Sequence, residues 1–173
     1  MGIGALYVRR KTPFFPFVNG GHQERGQRGG TENVPLIVGI GKAAELAIKH
    51  LAKYENTVKP LRDALEDGIL NAIPSTELNG HKAKRLANTT NITFRGIESE
   101  ALLILLDKEG VCASSGSACL ADSDEASHVI KAMKPEETTF RQMIRFSLDI
   151  TTNKNQIQTV LERLNHLVKI LRH

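Results

Sequence analysis

The sequence predicts a layered domain of helices and strands, of the α/β or α+β class. Three observations lead there. Segments with apolar residues at helical spacing alternate with short β-rich runs. Pro74, Gly80 and Gly110 punctuate the boundaries between them. The chain closes on its cleanest amphipathic helix, with Ile157, Val160, Leu161, Leu164, Leu167, Val168 and Leu171 along one stripe.

Taken in order, residues 2–8 are apolar and read as a strand entered from a glycine turn, of the kind that pairs with earlier chain. Residues 12–17 hold Pro13 and Pro16, each of which removes a ladder donor, so this is an extended connector rather than a central strand. Its Phe residues are either partly buried or turned toward a partner. A helix follows from about residue 34 to 54, with Leu36, Ile37, Ile40, Ala44, Ala47 and Leu51 at helical spacing. Pro35 suits its first turn, and Thr31 or Asn33 can cap it. Gly39 and Gly41 suggest close packing. Pro60 restarts or kinks this helix, which continues through Leu61, Leu65 and Ile69 to a stop at Pro74.

A short strand covers residues 77–79, and the basic residues from Lys82 to Arg85 read as a solvated loop. Residues 91–94 alternate as a strand, and 98–108 form a helix with Gly110 just past its C-cap. Residues 111–114 return as a strand. Ser123 caps a further helix through Met133, with Asp124 and Glu125 at its positive end. Residues 142–148 are another alternating strand, and Thr151 or Thr152 lies near the start of the last helix.

Composition is that of an ordinary globular protein of 173 residues. No apolar run approaches the ~20 residues needed to span a bilayer, and no membrane partner is expected. Two cysteines, Cys112 and Cys119, do not make a secreted disulfide framework, so a cytoplasmic, reduced compartment is expected. Residues 1–30 carry a net +4, equal to the formal charge of the whole chain. A local cluster without aromatic interleaving suits a small anion or a partner surface, not nucleic acid.

Two stretches carry chemistry. In the first, residues 111–122, a β-rich start dissolves into Ser114-Ser115-Gly116-Ser117-Ala118-Cys119. Ser and Gly favour a loop, and a thiol at its end is mobile and reachable, as a sulfur nucleophile that visits more than one place must be. An ordinary packed cysteine is the plain alternative. The second, residues 19–33, is a glycine-rich loop with Arg25 and Arg28 that runs into a helix. Loop amides, a helix N-terminus, the Thr31 hydroxyl and two guanidinium groups suit a phosphate or carboxylate. A solvated turn with surface arginines is equally consistent with the loop alone.

With these motifs in view, the sequence resembles the NifS/IscS-type cysteine desulfurases, of the class V aminotransferase group of pyridoxal-phosphate enzymes. The resemblance rests on Gly2-Ile3-Gly4-Ala5-Leu6-Tyr7-Val8, on Glu24-Arg25-Gly26 with Arg28 and Gly30-Thr31-Glu32-Asn33, on Ser114-Ser115-Gly116-Ser117-Ala118-Cys119, and on Ile144-Arg145-Phe146-Ser147-Leu148. The four come in the family's order and span the chain.

The resemblance implies the fold of a fold-type I pyridoxal-phosphate enzyme. Residues 1–33 would be the last piece of the large cofactor-binding domain, 34–59 a connecting helix, and 60–173 the small α+β domain with the cysteine loop. It implies conversion of L-cysteine to L-alanine, with pyridoxal phosphate as electron sink and a persulfide formed on Cys119. That sulfur would pass to an acceptor or iron–sulfur scaffold protein. No resident metal is implied, although Cys119 can transiently ligate an iron–sulfur cluster. Thr31 would bind the cofactor phosphate of the neighbouring subunit in a homodimer. Arg145 would grip the substrate carboxylate, for which a planar guanidinium is well shaped; a surface ion pair is the alternative for a strand arginine. Cys112 is assigned to structure.

Three departures stand out. The family's imine-forming lysine lies in a His-Lys motif upstream of the Gly-Ile-Gly-Ala-Leu segment, and no lysine here has a matching context. The chain is therefore expected to be the C-terminal half of such an enzyme, incomplete alone. Ser99 and Asp149 replace family glycines, and Asp149 would weaken carboxylate binding if it turned toward Arg145. The competing readings are a non-catalytic module that binds a desulfurase or scaffold, and an unrelated domain with a redox-sensing thiol.

Overall fold

Strands that alternate apolar with polar residues must bury one face, and three such segments pair into a single antiparallel sheet. The computed structural model describes residues 2–81, 84–115, 128–133 and 140–172. The chain divides into two units, Met1–Leu51 and Ala52–His173. The sheet lies in the second and contains β1 (Thr76–Leu78), β2 (Thr89–Phe94) and β3 (Met143–Ser147) in that order. Ile92 lies opposite Ile144, and Thr90 opposite Phe146. With Phe94, these apolar side chains join a core shared with three helices. The helices are α3 (Lys59–Ala72), α4 (Ser99–Lys108) and α6 (Lys154–Arg172), which contribute Leu65, Ile69, Leu102, Leu106 and Leu164. Each such residue stabilises the fold by roughly 1.5–3 kcal/mol through burial. At Gly68 an added Cβ would meet the Leu161 methyls at 2.7–2.8 Å, so a larger residue there would force the Leu161 side chain to shift.

Local chemistry sets the helix ends. The helix α2 (Val34–Lys53) widens into a π turn, Tyr54–Val58, before α3 begins. In a regular helix the Pro60 ring would clash with the carbonyl four residues earlier, and the wider turn stands at that place. The expected kink at Pro60 is thus a π turn. Gly110, at φ +71, ends α4: its N–H bonds to Asp107 O at 2.8 Å, and Val111 N–H to Leu106 O at 2.8 Å. These are the two bonds of a Schellman stop, with Val111 and Leu106 both in the core. Asn153 and Gln156 cap α6 reciprocally, at 3.0 and 3.1 Å, just after the two threonines near its start. Of the helix expected to start at Ser123, α5 (His128–Met133) is described; Ser123 itself lies outside the described residues.

Two expectations in this unit are corrected. Residues 111–114 form no strand: a single bridge joins Ser114 to Arg145, because the Schellman turn hands the chain over at Val111 and leaves little length to pair. Val111 and Ala113 pack on the core while Cys112 is turned away from it and exposed. The structural role expected of Cys112 as a buried residue therefore does not hold. Arg85, expected in a solvated loop, is instead paired with Glu66 at 2.6 Å. Glu66 also accepts from Thr90 Oγ1 at 2.7 Å. One turn earlier on α3, the buried Arg62 donates to Leu86 O at 3.2 Å and Thr89 O at 3.4 Å. Together these bonds fasten the chain entering β2 to α3.

In the first unit, residues 2–9 carry no ladder pairing, which corrects the strand expected there. A strand needs a neighbouring backbone in register, and among the described residues none lies beside it. Phe15 and Phe17 are exposed. The loop before α2 closes on itself: Gly29 N–H bonds to Val18 O at 2.8 Å, and an added Cβ on Gly29 would meet Gly20 N at 2.8 Å. Inside it the one-turn α1 (Gln23–Gly26) is left-handed at Glu24 and Arg25, with φ 49 and 59. Non-glycine residues adopt that hand at a cost of about 1–2 kcal/mol each.

Removing one partner of a buried charge pair costs about 3–5 kcal/mol, whereas an exposed substitution changes stability by less than about 0.5 kcal/mol. Glu66→Ala is accordingly expected to lose several times more stability in urea unfolding than Cys112→Ser. Equal losses would show that Cys112 is core after all.

Candidate active site

Arg145 sits in the middle of β3, and the backbone fixes what surrounds it. On one side Ser114 N–H donates to Arg145 O at 3.1 Å, and Arg145 N–H donates to Ser114 O at 2.6 Å. Both main-chain groups of Arg145 therefore point toward Ser114, the first residue of the Ser/Gly motif. On the other side lies Asn91, its partner across β2. Main-chain groups of Arg145 point away from β2, and Asn91 O accepts from Asn79 N–H at 2.9 Å on the β1 side. Asn91 and Arg145 are thus a non-hydrogen-bonded antiparallel pair, the arrangement that brings opposing side chains closest.

That face of the sheet carries Asn79, Asn91, Thr93 and Arg145, with Met143 buried beyond Arg145. Arg145 and Ser147 are exposed while Ile144 and Phe146 are buried on the opposite face. Asn79 Nδ2 donates to Asn91 Oδ1 at 2.8 Å and to Thr93 Oγ1 at 2.9 Å. Glu77, further along β1, pairs with Arg95 at 2.7 Å. Among the described residues no carboxylate pairs with the Arg145 guanidinium, so the ion-pair alternative for this arginine is not realised there. Asn79 and Asn91 were not singled out from the sequence. The alternation Asn91-Ile92-Thr93-Phe94 puts Asn91 and Thr93 on one face, whereas Asn79 joins them only through the β1–β2 register.

In the first unit, Thr31 is exposed just ahead of α2. Asn33, not Thr31, caps that helix: its Oδ1 accepts from Leu36 N–H at 3.3 Å. Among the described residues the Thr31 hydroxyl has no hydrogen-bond partner. Arg28 turns Nη1 onto Gly29 O at 2.9 Å, which braces the closed loop. Cys119 lies outside the described residues. Ser99 is buried in the first turn of α4, away from solvent. Among the described residues, no helix is long and apolar enough to cross a membrane.

The fold has close counterparts. Residues 1–160 match the aminotransferase class-V family model, and the chain belongs to that family. It is 54% identical over 171 residues to cysteine desulfurase 2 of Trichormus variabilis, and 48% identical over 173 residues to the cysteine desulfurase NifS of Azotobacter vinelandii. Each alignment covers 99% of this chain and 43% of the relative, so the chain spans less than half the length of these proteins. Two solved structures agree. A NifS-like protein superposes with TM-score 0.81 at 29% identity, over 95% of this chain and 41% of that one. A NifS-like protein from Rickettsia africae gives 0.76 at 32% identity, over 90% and 40%.

Asp149, a departure noted in the sequence, is held by its own turn. Its carboxylate accepts from the Ile150 N–H, the Thr151 hydroxyl at 3.0 Å, the Thr151 N–H and the Tyr54 hydroxyl at 3.5 Å. Thr152 Oγ1 in turn accepts from the Asp149 N–H at 3.1 Å. These bonds favour the charged form and lower the Asp149 pKa from its ordinary 3.8. A carboxyl depressed in the folded state stabilises above its unfolded pKa and loses that contribution as pH falls through the folded value. The melting-temperature gap between wild type and Asp149→Asn should therefore be full near neutral pH and close as pH drops below 3.8. A gap that stays constant with pH would mean the carboxylate is not bonded in this way.

Proposed function

We propose that this chain is the part of a pyridoxal-phosphate-dependent cysteine desulfurase that binds the substrate carboxylate and carries the sulfur-accepting thiol. The observation that supports this most directly is the Ser114–Arg145 pair, which joins the start of the Cys119 loop to the strand position of a candidate carboxylate-binding arginine. The relatives printed as cysteine desulfurases support the reaction class.

In this reading the Arg145 guanidinium grips the carboxylate of L-cysteine and holds the amino acid in place. The Cys119 thiolate attacks the substrate sulfur. A sulfur–sulfur bond forms on Cys119 as the substrate carbon–sulfur bond breaks, and the carbon takes up a proton and leaves as L-alanine. The persulfide on Cys119 then passes its outer sulfur to a sulfur acceptor or iron–sulfur scaffold protein. Bound pyridoxal phosphate would supply the electron sink for the bond cleavage. The residues present fit its phosphate end: among the described residues the Thr31 hydroxyl has no hydrogen-bond partner, and it stands just ahead of the positive end of a long helix. Thr31 serves the cofactor of a second subunit, which makes the enzyme a homodimer. Residues 1–33 belong to the cofactor-binding domain, 34–59 connect, and 60–173 form the small domain of a cytoplasmic protein.

In the complete enzyme, Cys119→Ser is expected to abolish the persulfide detected by mass spectrometry after addition of L-cysteine, and Cys112→Ser to leave it. Arg145→Ala should raise KM for L-cysteine about 10- to 100-fold, the loss of a charge-assisted pair. A Cys119→Ser enzyme that still passes sulfur on would refute the assignment.

A further inference from the structure

Asparagine followed by glycine is a dipeptide prone to lose its side-chain amide, because glycine has no Cβ to hinder its main-chain nitrogen. The chain holds two, Asn19–Gly20 and Asn79–Gly80. The second lies where β1 ends, and its two residues are held differently. Gly80 is exposed at φ +93, with no atom within 4 Å of where a Cβ would stand. Asn79 is buried. Its Nδ2 donates to Asn91 Oδ1 at 2.8 Å and to Thr93 Oγ1 at 2.9 Å, which commits both amide protons. Its backbone N–H donates to Asn91 O at 2.9 Å.

In amide loss the Gly80 main-chain nitrogen gives its proton to water and attacks Asn79 Cγ. The N–Cγ bond forms, the Cγ–Nδ2 bond breaks, and Nδ2 leaves as ammonia. Water then opens the cyclic imide at either carbonyl and gives aspartate or isoaspartate. One water is consumed, one ammonia is released, and nothing is oxidised. The expelled atom is thus the donor in both side-chain bonds. While those bonds hold, the amide is fixed toward β2 and is not free to leave; once it has left, neither bond can form again.

We propose that Asn79–Gly80 is a latent deamidation site, closed while β1 is docked on β2 and opened when that strand releases. The gate is a strand of three half-buried residues at one end of the strand order, the kind of element that opens well before the whole domain unfolds. The aspartate product sets a carboxylate oxygen opposite Asn91 Oδ1, acceptor against acceptor, in a buried place. A released strand that reacts therefore docks less tightly than before, and each modified chain records an opening. The inference is independent of the reaction that the chain serves.

The test incubates the full chain at mildly alkaline pH in native buffer and in denaturing urea, and follows the peptides bearing both dipeptides by mass spectrometry. Asn79 is expected to react at least about tenfold more slowly in native buffer than in urea. In urea it should keep pace with Asn19, the same dipeptide elsewhere in the chain. Thr93→Val removes one acceptor and should raise the native rate of Asn79 severalfold without changing its rate in urea. If that variant does not fold, low urea decides: modification of Asn79 must rise in step with hydrogen exchange at its own backbone amide. Asn79→Asp, identical to the aspartate product, should unfold at lower urea than wild type. Equal Asn79 rates in the two buffers, or an Asn79 that lags behind Asn19 in urea as well, overturn the inference. So do a native rate untouched by Thr93→Val and an unchanged unfolding midpoint in Asn79→Asp.

Discussion

Two main-chain hydrogen bonds between Ser114 and Arg145 fix the register around the candidate site. Each does two jobs. They extend the three-stranded sheet by one residue, and they tie Ser114, the first residue of the Ser/Gly motif, to the strand that bears the arginine. Because both main-chain groups of Arg145 are used on that side, its side chain meets Asn91 on the other side at the shortest cross-strand spacing. A slip of one residue would turn Arg145 into the core and Phe146 into solvent. The burial of Ile144 and Phe146 on the opposite face forbids that slip.

The rest of the second unit serves this register. The Schellman stop at Gly110 delivers the chain to Val111 in the core, and three residues later Ser114 reaches Arg145. The Glu66–Arg85 pair, the Thr90 hydroxyl and the buried Arg62 fix the entry to β2, next to Asn91. A buried ion pair of this kind adds little net stability over an apolar replacement. Its use here is positional: it joins a helix, a loop and a strand end by directed bonds that apolar packing would not supply. Asp149 is also taken up locally, by Tyr54 and by its own turn.

Much of this was legible in the residues. Period and punctuation located α3, α4, α6 and the three strands, because those segments bury one face and their spacing records it. Gly110 was readable as a helix stop because its conformation favours glycine. Other features were not. The stretch 2–8 has the composition of a strand, but strand formation depends on a partner that a local reading does not supply. The apolar neighbours of Cys112 suggested burial, whereas its exposure follows from where the preceding turn hands over the chain. Arg85 looked like surface charge because its partner, Glu66, is 19 residues away in sequence. The polar row through Asn79 and Asn91 required the register of two strand pairs, which composition alone does not reveal. The motif that names Cys119 is local and was read directly; its geometry lies outside the described residues.

The central claim is the register that places Arg145 between Asn91 and Ser114. A nuclear Overhauser measurement between backbone α-protons tests it directly. The non-hydrogen-bonded pairing predicts a strong contact between the α-protons of Asn91 and Arg145, where the Cα atoms of such a pair approach to about 4.5 Å. The Ser114 and Arg145 amide protons should both be protected from exchange with solvent. An α-proton contact from Arg145 to Thr90 or Ile92 instead, with a freely exchanging Ser114 amide, would contradict the account.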